Sequence, residues 1–477
     1  MIAVILGRAA AIHATAPPEP PAPLKLGLPA WSWALFQGVR DPYVILIIIY
    51  IFAPYVVGLV GDPVRGQALI AEGAKYTGWV VMLTAPLLGA AVDRMGRRKP
   101  WLAVVVALMV PLLALLWWVR PGGLSPVMAV TITAALSVLF AYSETLHNAL
   151  LLPAAGMARA GAASGLALAF GNFVSVTMLA FVLWAFALPG KVAWGWVPAA
   201  PLFGLDTALH EQDRIVGPLV AVVFALGVIP LFRFVPDVAS TGVRLGAALR
   251  QGVADLKALI TEARGYRDGL LYLGSRMLFT DGLTGILVFT GVYAAGVMGW
   301  GTLELLAYGL ILSMAAVVGG LTAGALDSWL GPKRALTIEL TGVIVSQLLS
   351  LGQTRGTLFY QPFDAAAHAA VWSGPMFRTL PEIALIGCGL LGGVSVASAY
   401  ASSRTMITRV VPPAKIGIFF GLFVLAGNAT MWLGPTLVQW ATDASGSQRV
   451  GLLPITALVL AGLLMLQWVR GGERLAR

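Results

Sequence analysis

A few charged side chains lie inside long apolar stretches of the sequence. A charge at the centre of a lipid bilayer costs about 2.5–3.5 kcal/mol on insertion scales, so each is expected to face the protein interior and to have a partner. Arg40 and Asp41 are adjacent in the first stretch, and Arg276 and Asp281 lie in the seventh. An arginine can bind a carboxylate and an acid can face an amine, so these residues are candidates for holding a zwitterion or for pairing across a cavity. Arg40 and Asp41 have a second interpretation, as interfacial charges at the mouth of such a cavity.

Two further stretches carry groups that could hold a proton. Glu144 and His147 are three residues apart and therefore share one face of a helix, where a carboxylate and an imidazole can pass or store a proton near neutral pH. The alternative is a structural hydrogen bond near the end of that helix. Glu339 and Gln347 lie together in the ninth stretch.

Asn172 and Asn428 lie at matching places in the fifth and eleventh stretches. They are candidates for lining a polar path because an amide both donates and accepts hydrogen bonds. A structural role between packed helices is the equal alternative. The same two interpretations apply to Tyr142 and Tyr400.

The elements that must position these residues are membrane-spanning helices. Of the 477 residues 58% are hydrophobic and 11% are charged, which lies far outside the range of water-soluble domains. A bilayer core about 30 Å thick needs roughly 20 apolar residues per helix, so the chain has room for about twelve spans. The predicted fold class is therefore an all-α membrane protein, with spans near 32–60, 76–93, 101–119, 126–152, 163–189, 215–235, 268–297, 303–326, 335–352, 381–403, 415–441 and 450–470.

The basic residues predict the orientation of these spans. If both termini are cytoplasmic, 21 of the 31 lysines and arginines fall in cytoplasmic segments and 8 fall outside, while Arg40 and Arg276 lie within spans. The positive-inside rule then favours a cytoplasmic N-terminus and C-terminus, in the plasma (inner) membrane. The net charge of +10 does not indicate nucleic-acid binding, because the basic residues are scattered between apolar runs.

The two halves of the chain resemble each other. The segment Gly165–Asn172 in the fifth span is repeated as Gly421–Asn428 in the eleventh, with Gly, Leu, Gly and Asn at the same places. Such repeats pack one six-helix bundle against another, with a path between them. The predicted organisation is a flexible cytoplasmic tail at 1–28, an N-terminal bundle at 29–235, a cytoplasmic linker with an amphipathic helix at 236–267, a C-terminal bundle at 268–470 and a tail at 471–477.

The segment Gly89–Pro100, after the second span, resembles the cytoplasmic signature of the major facilitator superfamily. Its glycines permit close helix approach and a tight turn, and its cations suit a cytoplasmic loop. The resemblance implies two pseudo-symmetric six-helix bundles that work by alternating access. It also implies a gating motif that joins the halves on the inner side, made of Gly89, Asp93, Arg94, Gly96, Arg97 and Arg98.

The second half holds a weaker copy of this motif after the eighth span, Gly324–Arg334. Its gating candidates are Asp327, Gly331, Lys333 and Arg334. Aligned on Gly331, the acid position of the first copy is occupied by Ser328, and Asp327 stands one residue earlier, about 100° around a helix. A latch of identical geometry is therefore not expected here.

Within the superfamily the chain resembles the autophagy-related vacuolar amino-acid effluxers and their bacterial relatives. The stretches that carry this resemblance are Trp33–Gln37, Ile51–Tyr55, Arg276–Gly282, Phe419–Phe423 and Leu433–Pro435. One departure is Gln37, where the family's first helix usually has an acid, while Arg40 and Asp41 follow a turn later. A coupling role for that acid cannot be transferred to this chain.

The resemblance implies secondary active transport of a small polar, amino-acid-like solute, coupled to protons or driven by the solute gradient. Two alternatives stay open. Gly96–Trp101 is also similar to cation-coupled sugar symporters, and some facilitator relatives handle lipid or pigment without transporting a solute. A polar cavity lined by Arg276 and Asp281 would favour solute transport.

No enzymatic, metal or cofactor site is expected. The chain has one cysteine, no GxxxxGK[ST] loop and no HExxH pair, so ATP hydrolysis is not expected as the energy source. The expected partners are the lipid bilayer, a small-molecule substrate and protons or Na⁺. We expect a monomer with no nucleic-acid partner.

Overall fold

The computed structural model describes residues 26–156, 159–411 and 416–470. The predicted tails lie outside these ranges except for residues 26–28. The side chains of Asp93 and Asn428, two of the site candidates, also lie outside the described part.

The first half of the described chain is helical apart from its loops. Two π-helical segments, Tyr43–Tyr50 and Leu183–Ala187, continue its first and fifth spans. Three short 3₁₀ turns are Leu116–Trp118, Leu202–Gly204 and Thr207–Leu209. The α-helices are α1 (Leu28–Arg40), α2 (Phe52–Val60), α3 (Pro63–Met95), α4 (Lys99–Leu115), α5 (Pro126–Ala149), α6 (Leu151–Ala155), α7 (Ala160–Val182), α8 (Glu211–Arg214), α9 (Val216–Gly227) and α10 (Ile229–Phe234).

The second half follows the same plan. Its α-helices are α11 (Leu245–Ala263), α12 (Arg267–Tyr293), α13 (Thr302–Leu330), α14 (Pro332–Leu351), α15 (Leu380–Val410), α16 (Ile416–Ala429), α17 (Leu433–Ser445), α18 (Gln448–Gly451) and α19 (Leu453–Gln467). A π-helical segment, Ala294–Met298, continues α12. The loop before α15 holds a 3₁₀ turn, Ala365–Ala367, and a two-stranded antiparallel hairpin of β1 (Thr357–Leu358) and β2 (Gln361–Pro362).

Within the described residues, 10 helices are long and apolar enough to cross a membrane, which confirms the predicted all-α membrane class. Two of the expected spans are not among the ten. The second lies in α3, whose first turns carry Arg65, Glu72 and Lys75, and the eleventh is divided between α16 and α17. Helix α3 still packs as one long helix, whereas the eleventh span packs as two shorter ones.

Two spans are broken next to prolines. The first span is interrupted at Ile51, whose φ of −121° and ψ of −66° are not helical, and the eleventh is interrupted at residues 430–432. Pro54 and Pro435 lack the N–H that would bond to the carbonyl four residues earlier, at Tyr50 and Met431. Each span therefore ends in a short separate helix, α2 or α17.

The linker predicted between the halves contains helix α11. It packs on the end of α3, where a Cβ on Gly252 would lie 2.6 Å from Ala90 Cβ. Arg250 and Lys257 of α11 are exposed, as is Arg264 directly after it. We call the end of the molecule that holds residues 236–267 the linker side, and the opposite end the far side.

The buried apolar residues form two clusters. The larger one fills the N-terminal bundle and continues into the C-terminal bundle through Phe289, Val292 and Trp300, at the far-side ends of α12 and α13. The smaller one lies within the C-terminal bundle and includes Tyr272 and Phe279. The two bundles thus share an apolar core towards the far side.

Candidate functional site

The two bundles are closed against each other on the far side by helices α3 and α17. Met95 at the end of α3 bonds to Thr241 of the linker, so the Pro63 end of α3 lies on the far side. There Gln67 Nε2 donates to Thr442 Oγ1 at 2.9 Å, and Lys75 Nζ donates to Gln439 Oε1 at 2.8 Å. Both contacts join the N-terminal bundle to α17.

The same interface reaches the break in the eleventh span. Trp79 of α3 stacks on Trp432 with ring centroids 4.4 Å apart. A Cβ on the neighbouring Gly78 would meet the Trp432 backbone N and would lie 2.6 Å from the carbonyl carbon of Met431. Only glycine allows the two backbones to approach this closely.

The first and seventh spans also meet across the bundles. A Cβ on Gly291 in α12 would collide with the carbonyl oxygen of Ile49. Thr302 Oγ1, at the start of α13, donates to Asp213 Oδ1 in α8. The far side is therefore sealed by backbone contact as well as by side chains.

Arg40 and Asp41 form an ion pair within the N-terminal bundle. Arg40 Nη2 lies 3.2 Å from Asp41 Oδ1, and the guanidinium lies over the Phe140 ring, 4.5 Å from its centroid. Arg40 is 4% exposed and its Nη1 has no hydrogen-bond partner in the described structure. The Asp41 carboxylate packs against Gly171 of α7, at a place that a Cβ would fill.

Arg276 has a matching environment in the C-terminal bundle. Its Nη1 donates to the Phe423 carbonyl at 2.8 Å, and its guanidinium lies 3.4 Å from the Phe423 ring centroid. Nε is buried and has no partner among the described groups. A Cβ on Gly427 would lie 3.2 Å from Nη1. Gly171 and Gly427 are equivalent in the sequence repeat, so each provides room for an intramembrane charge.

Asp281 caps the separate helix of the eleventh span. Its Oδ2 accepts a hydrogen bond of 2.7 Å from the backbone N–H of Gly434, in the first turn of α17. The free N–H groups at a helix start carry a partial positive charge, which a carboxylate stabilises. Asp281 therefore holds the beginning of the helix that closes the far side. It does not bond to Arg276 in the described structure.

Glu144 and His147 are not brought together. His147 is fully buried, stacks on Trp33 with centroids 4.3 Å apart, and places Nε2 2.7 Å from the Trp33 carbonyl oxygen. Glu144 is exposed, and no hydrogen bond joins the two in the described structure. Proton sharing between Glu144 and His147 therefore stays a prediction that no described contact supports. The contacts of His147 with Trp33 are those of a structural residue.

The other polar candidates differ in exposure. Asn172 is exposed on α7, next to the glycine that contacts Asp41. Tyr142 donates to Thr84 Oγ1 at 2.6 Å, and Tyr400 lies 3.0 Å from Thr284 Oγ1. The two tyrosines, equivalent in the repeat, thus each contact a threonine of a neighbouring helix.

The first gating motif packs against the linker. Gly96 has a φ of +87°, and a Cβ there would collide with the Ala239 carbonyl oxygen. Asp237 accepts hydrogen bonds from the backbone N–H groups of Arg98 and Lys99, at 2.9 and 3.3 Å, and so caps α4. Gly89 lies close to Thr145 of α5, and Arg94 and Arg97 are exposed.

The second motif makes contacts within its own bundle. Lys333 Nζ donates to the carbonyls of Gln467 and Val469, at 3.0 and 2.8 Å, and so caps the end of α19. Asp327 Oδ2 accepts from Thr405 Oγ1 at 2.5 Å. Gly331 turns with a φ of +79°, and Arg334 is exposed.

Comparison with known proteins identifies the family of this chain. The family described as vacuole effluxer Atg22 like matches residues 77–473, most of the chain. The chain belongs to the Atg22-like family. The resemblance seen in the sequence is thereby confirmed.

Two curated Atg22 relatives match parts of the chain. Autophagy-related protein 22 of Yarrowia lipolytica is 25% identical over 231 residues, which is 46% of this chain and 35% of that protein. Autophagy-related protein 22-2 of Emericella nidulans is 25% identical over 164 residues, which is 34% of this chain and 26% of that protein. The matches span about a third or less of the length of these Atg22 relatives.

Solved structures show the fold of this Atg22-like chain. A D-xylose–proton symporter has a TM-score of 0.62 at 15% identity, covering 93% of this chain and 98% of the other. The nucleoside transporter NupG has a TM-score of 0.60 at 13% identity, with the same coverage. The chain therefore has the major facilitator fold.

Two polar groups of the Atg22-like chain were not expected. Asp213 and Arg214 directly precede the predicted sixth span near 215–235, yet they are 4% and 0% exposed. Arg214 donates to the Trp117 carbonyl at 2.9 Å, and Asp213 accepts from His210 Nδ1 at 3.0 Å and from Thr302 of the other bundle. The dense run of charges just before the sixth apolar stretch was the available signal.

His210 is expected to make the stability of the folded protein depend on pH. Its hydrogen bond to Asp213 raises its pKa, and the nearby Arg214 opposes this. The stabilisation is fully present below about pH 6.5, the unfolded value, and is lost as the pH rises through the raised folded value. The effect is small because the side chain is 61% exposed.

Thermal unfolding in detergent measures this contribution. Wild type is expected to lose stability relative to His210→Gln as the pH rises above about 6.5, and the curve of the variant should be flatter. His368→Gln, another exposed histidine on the far side, is the matched control and should follow wild type. Equal pH dependence of wild type and His210→Gln would contradict the prediction.

Proposed function

We propose that this protein is a secondary transporter that moves a small polar solute of the amino-acid class by alternating access. The observation that carries the proposal is the pair of buried arginines, Arg40 and Arg276, on the first and seventh spans. Each keeps a guanidinium nitrogen without a partner in the described structure. The equivalent glycines of the repeat lie beside the Asp41 carboxylate that pairs with Arg40 and beside the guanidinium of Arg276. A carboxylate is the natural ligand of such nitrogens because it accepts two parallel hydrogen bonds.

The acids on the same spans support a zwitterionic solute. Asp41 is 24% exposed although it is paired with Arg40, so part of its carboxylate is accessible to an amine. Asp281 lies five residues after Arg276 in α12 and faces the start of α17. Each bundle therefore has one arginine and one acid, so a zwitterionic solute can find a positive and a negative side chain in either bundle during the transport cycle.

The closed far side supports alternating access. The inter-bundle hydrogen bonds of Gln67, Lys75 and Thr302 all lie on that side. We propose that the linker side is cytoplasmic, in keeping with the positive-inside count, so this conformation exchanges solute with the cytoplasm. On this proposal the protein lies in the plasma membrane, with both termini cytoplasmic, and works as a monomer because the far-side closure is made by two halves of one chain.

Uptake by proteoliposomes tests the proposal. A panel of amino acids and sugars is offered with and without an imposed pH step, and we expect amino acids to accumulate. Arg276→Gln should lower uptake by about ten- to a hundredfold, since losing a charge-assisted hydrogen bond costs about 1.5–3 kcal/mol. Arg276→Lys should not restore it, because an ammonium cannot make the bidentate contact.

The matched control is Arg120→Gln, an exposed arginine in a far-side loop, which should transport like wild type. Accumulation of sugars in place of amino acids would contradict the solute class. Unchanged uptake by Arg276→Gln would contradict the role of the arginine.

A further inference from the structure

A buried carboxyl group in the C-terminal bundle lies apart from the site described above. Glu339 stands two turns into α14 and is 3% exposed. Its Oε1 accepts a hydrogen bond of 2.9 Å from Ser402 Oγ on α15. Its Oε2 is buried and has no partner among the described residues.

The charged side chain that acts electrostatically on Glu339 is another acid. Asp327, on α13, is close enough to act on it electrostatically. Asp327 Oδ2 accepts from Thr405, while its Oδ1 is buried without a described partner. Two acids on neighbouring helices therefore each present an unused oxygen.

The cationic side chains on the surrounding helices bond to other groups or are exposed. Lys333 and Arg334 share α14 with Glu339, but Lys333 donates to the end of α19 and Arg334 is exposed. On α15, Arg404 and Arg409 are exposed. Helix α19 has no charged residue in its sequence. No described cation forms an ion pair with Glu339.

An isolated carboxylate buried in the membrane region is costly, so it is neutralised by binding a proton or a cation. A metal ion requires several oxygen ligands, and Glu339 Oε2 and Asp327 Oδ1 are only two. A proton requires one oxygen. The chemistry of this place therefore favours a proton.

We propose that Glu339 is a proton-binding site of the transport cycle, held in the C-terminal bundle between α14 and α15. The proposal rests on the transport function proposed above and names its coupling ion. The proton binds to Oε2 while Ser402 donates to Oε1, and it leaves Oε2 when the bundle rearranges.

Helix α15 connects this site to the solute site. Ser402 contacts Glu339, and Tyr400, two residues earlier, contacts Thr284 of α12 at 3.0 Å. Tyr272 of α12 donates to the Ser403 carbonyl. A shift of α15 relative to α12 thus changes the surroundings of Glu339 and of Arg276 together.

Infrared difference spectroscopy tests proton binding without any solute. Wild-type protein near neutral pH should show a protonated-carboxyl C=O band that is absent in Glu339→Gln. Glu144→Gln removes an exposed acid from a span and is the matched control, which should keep the band. The same band in Glu339→Gln and wild type would overturn the proposal whether or not a solute is known.

Transport assays distinguish a failure of the proton site at Glu339 from a failure of the proposed transport function. Glu339→Gln, the neutral isostere, should retain solute exchange but lose at least tenfold of the accumulation driven by a pH step. Exchange without any pH-driven accumulation in wild type would overturn the proton site and leave the transporter intact. Accumulation that follows a Na⁺ gradient instead, or full pH-driven accumulation by Glu339→Gln, would also overturn it.

Discussion

Gly78→Ala is expected to shift the protein towards a conformation that is open on the far side. The added methyl group would lie 2.6 Å from Met431 C and from Trp432 Cα. These are backbone atoms and cannot rotate away as a side chain can. Overpacking of this kind costs about 1–3 kcal/mol, which corresponds to a shift in the conformational equilibrium of up to about a hundredfold.

A cysteine placed in the interface reports this shift. Ala71 lies on α3 between Gln67 and Lys75 at helical spacing and is fully buried. In an Ala71→Cys background, Gly78→Ala should increase maleimide labelling from the far side. Gly320→Ala is the matched control, since a Cβ on that helical glycine meets nothing within 4 Å. Equal labelling of the two glycine variants would show that the contact at Gly78 does not hold the far side closed.

Asp281→Ala is expected to abolish transport through the same gate. The substitution removes the acceptor of the Gly434 N–H, which is then left buried without a partner at a cost of about 1–3 kcal/mol. Helix α17 loses its cap and its fixed position against α3. We expect uptake to fall at least about tenfold and Ala71→Cys to become accessible from the far side.

Asp281→Asn distinguishes capping from coupling. The asparagine keeps a carbonyl oxygen that can accept from Gly434 but loses the charge, so far-side closure should be restored. Closure without pH-driven accumulation would assign Asp281 a role in proton coupling. Closure with full accumulation would confine Asp281 to capping, and an uncapped phenotype in the asparagine variant would contradict the hydrogen-bond argument.

The fold could be predicted from the sequence because lipid imposes a simple rule. Each helix needs about 20 apolar residues, and the repeat around Gly165 and Gly421 indicates two bundles. The breaks at Ile51 and at residues 430–432 were not predicted, although Pro54 and Pro435 were visible. A proline in a membrane helix can be accommodated by a bend, and only tertiary packing decides where the helix separates.

The site was predicted less completely than the fold. Arg40, Asp41, Arg276 and Asp281 stand out because a charge inside an apolar run is conspicuous. The partners of these residues are not conspicuous in the sequence, because the contact of Asp281 with Gly434 joins residues 153 positions apart. Spacing alone placed Glu144 and His147 on one face, yet packing against Trp33 buries only the histidine.

The attachment of α11 to α3 has a consequence for how the halves move. A helix fixed to the N-terminal bundle through Gly252 and Ala90 must travel with it. The chain between α11 and α12 is only Arg264–Tyr266, with Gly265 at its centre. The connection that must bend when the two bundles move is therefore only three residues long. Stiffening or lengthening it would change the transport rate without changing the contacts that close the far side.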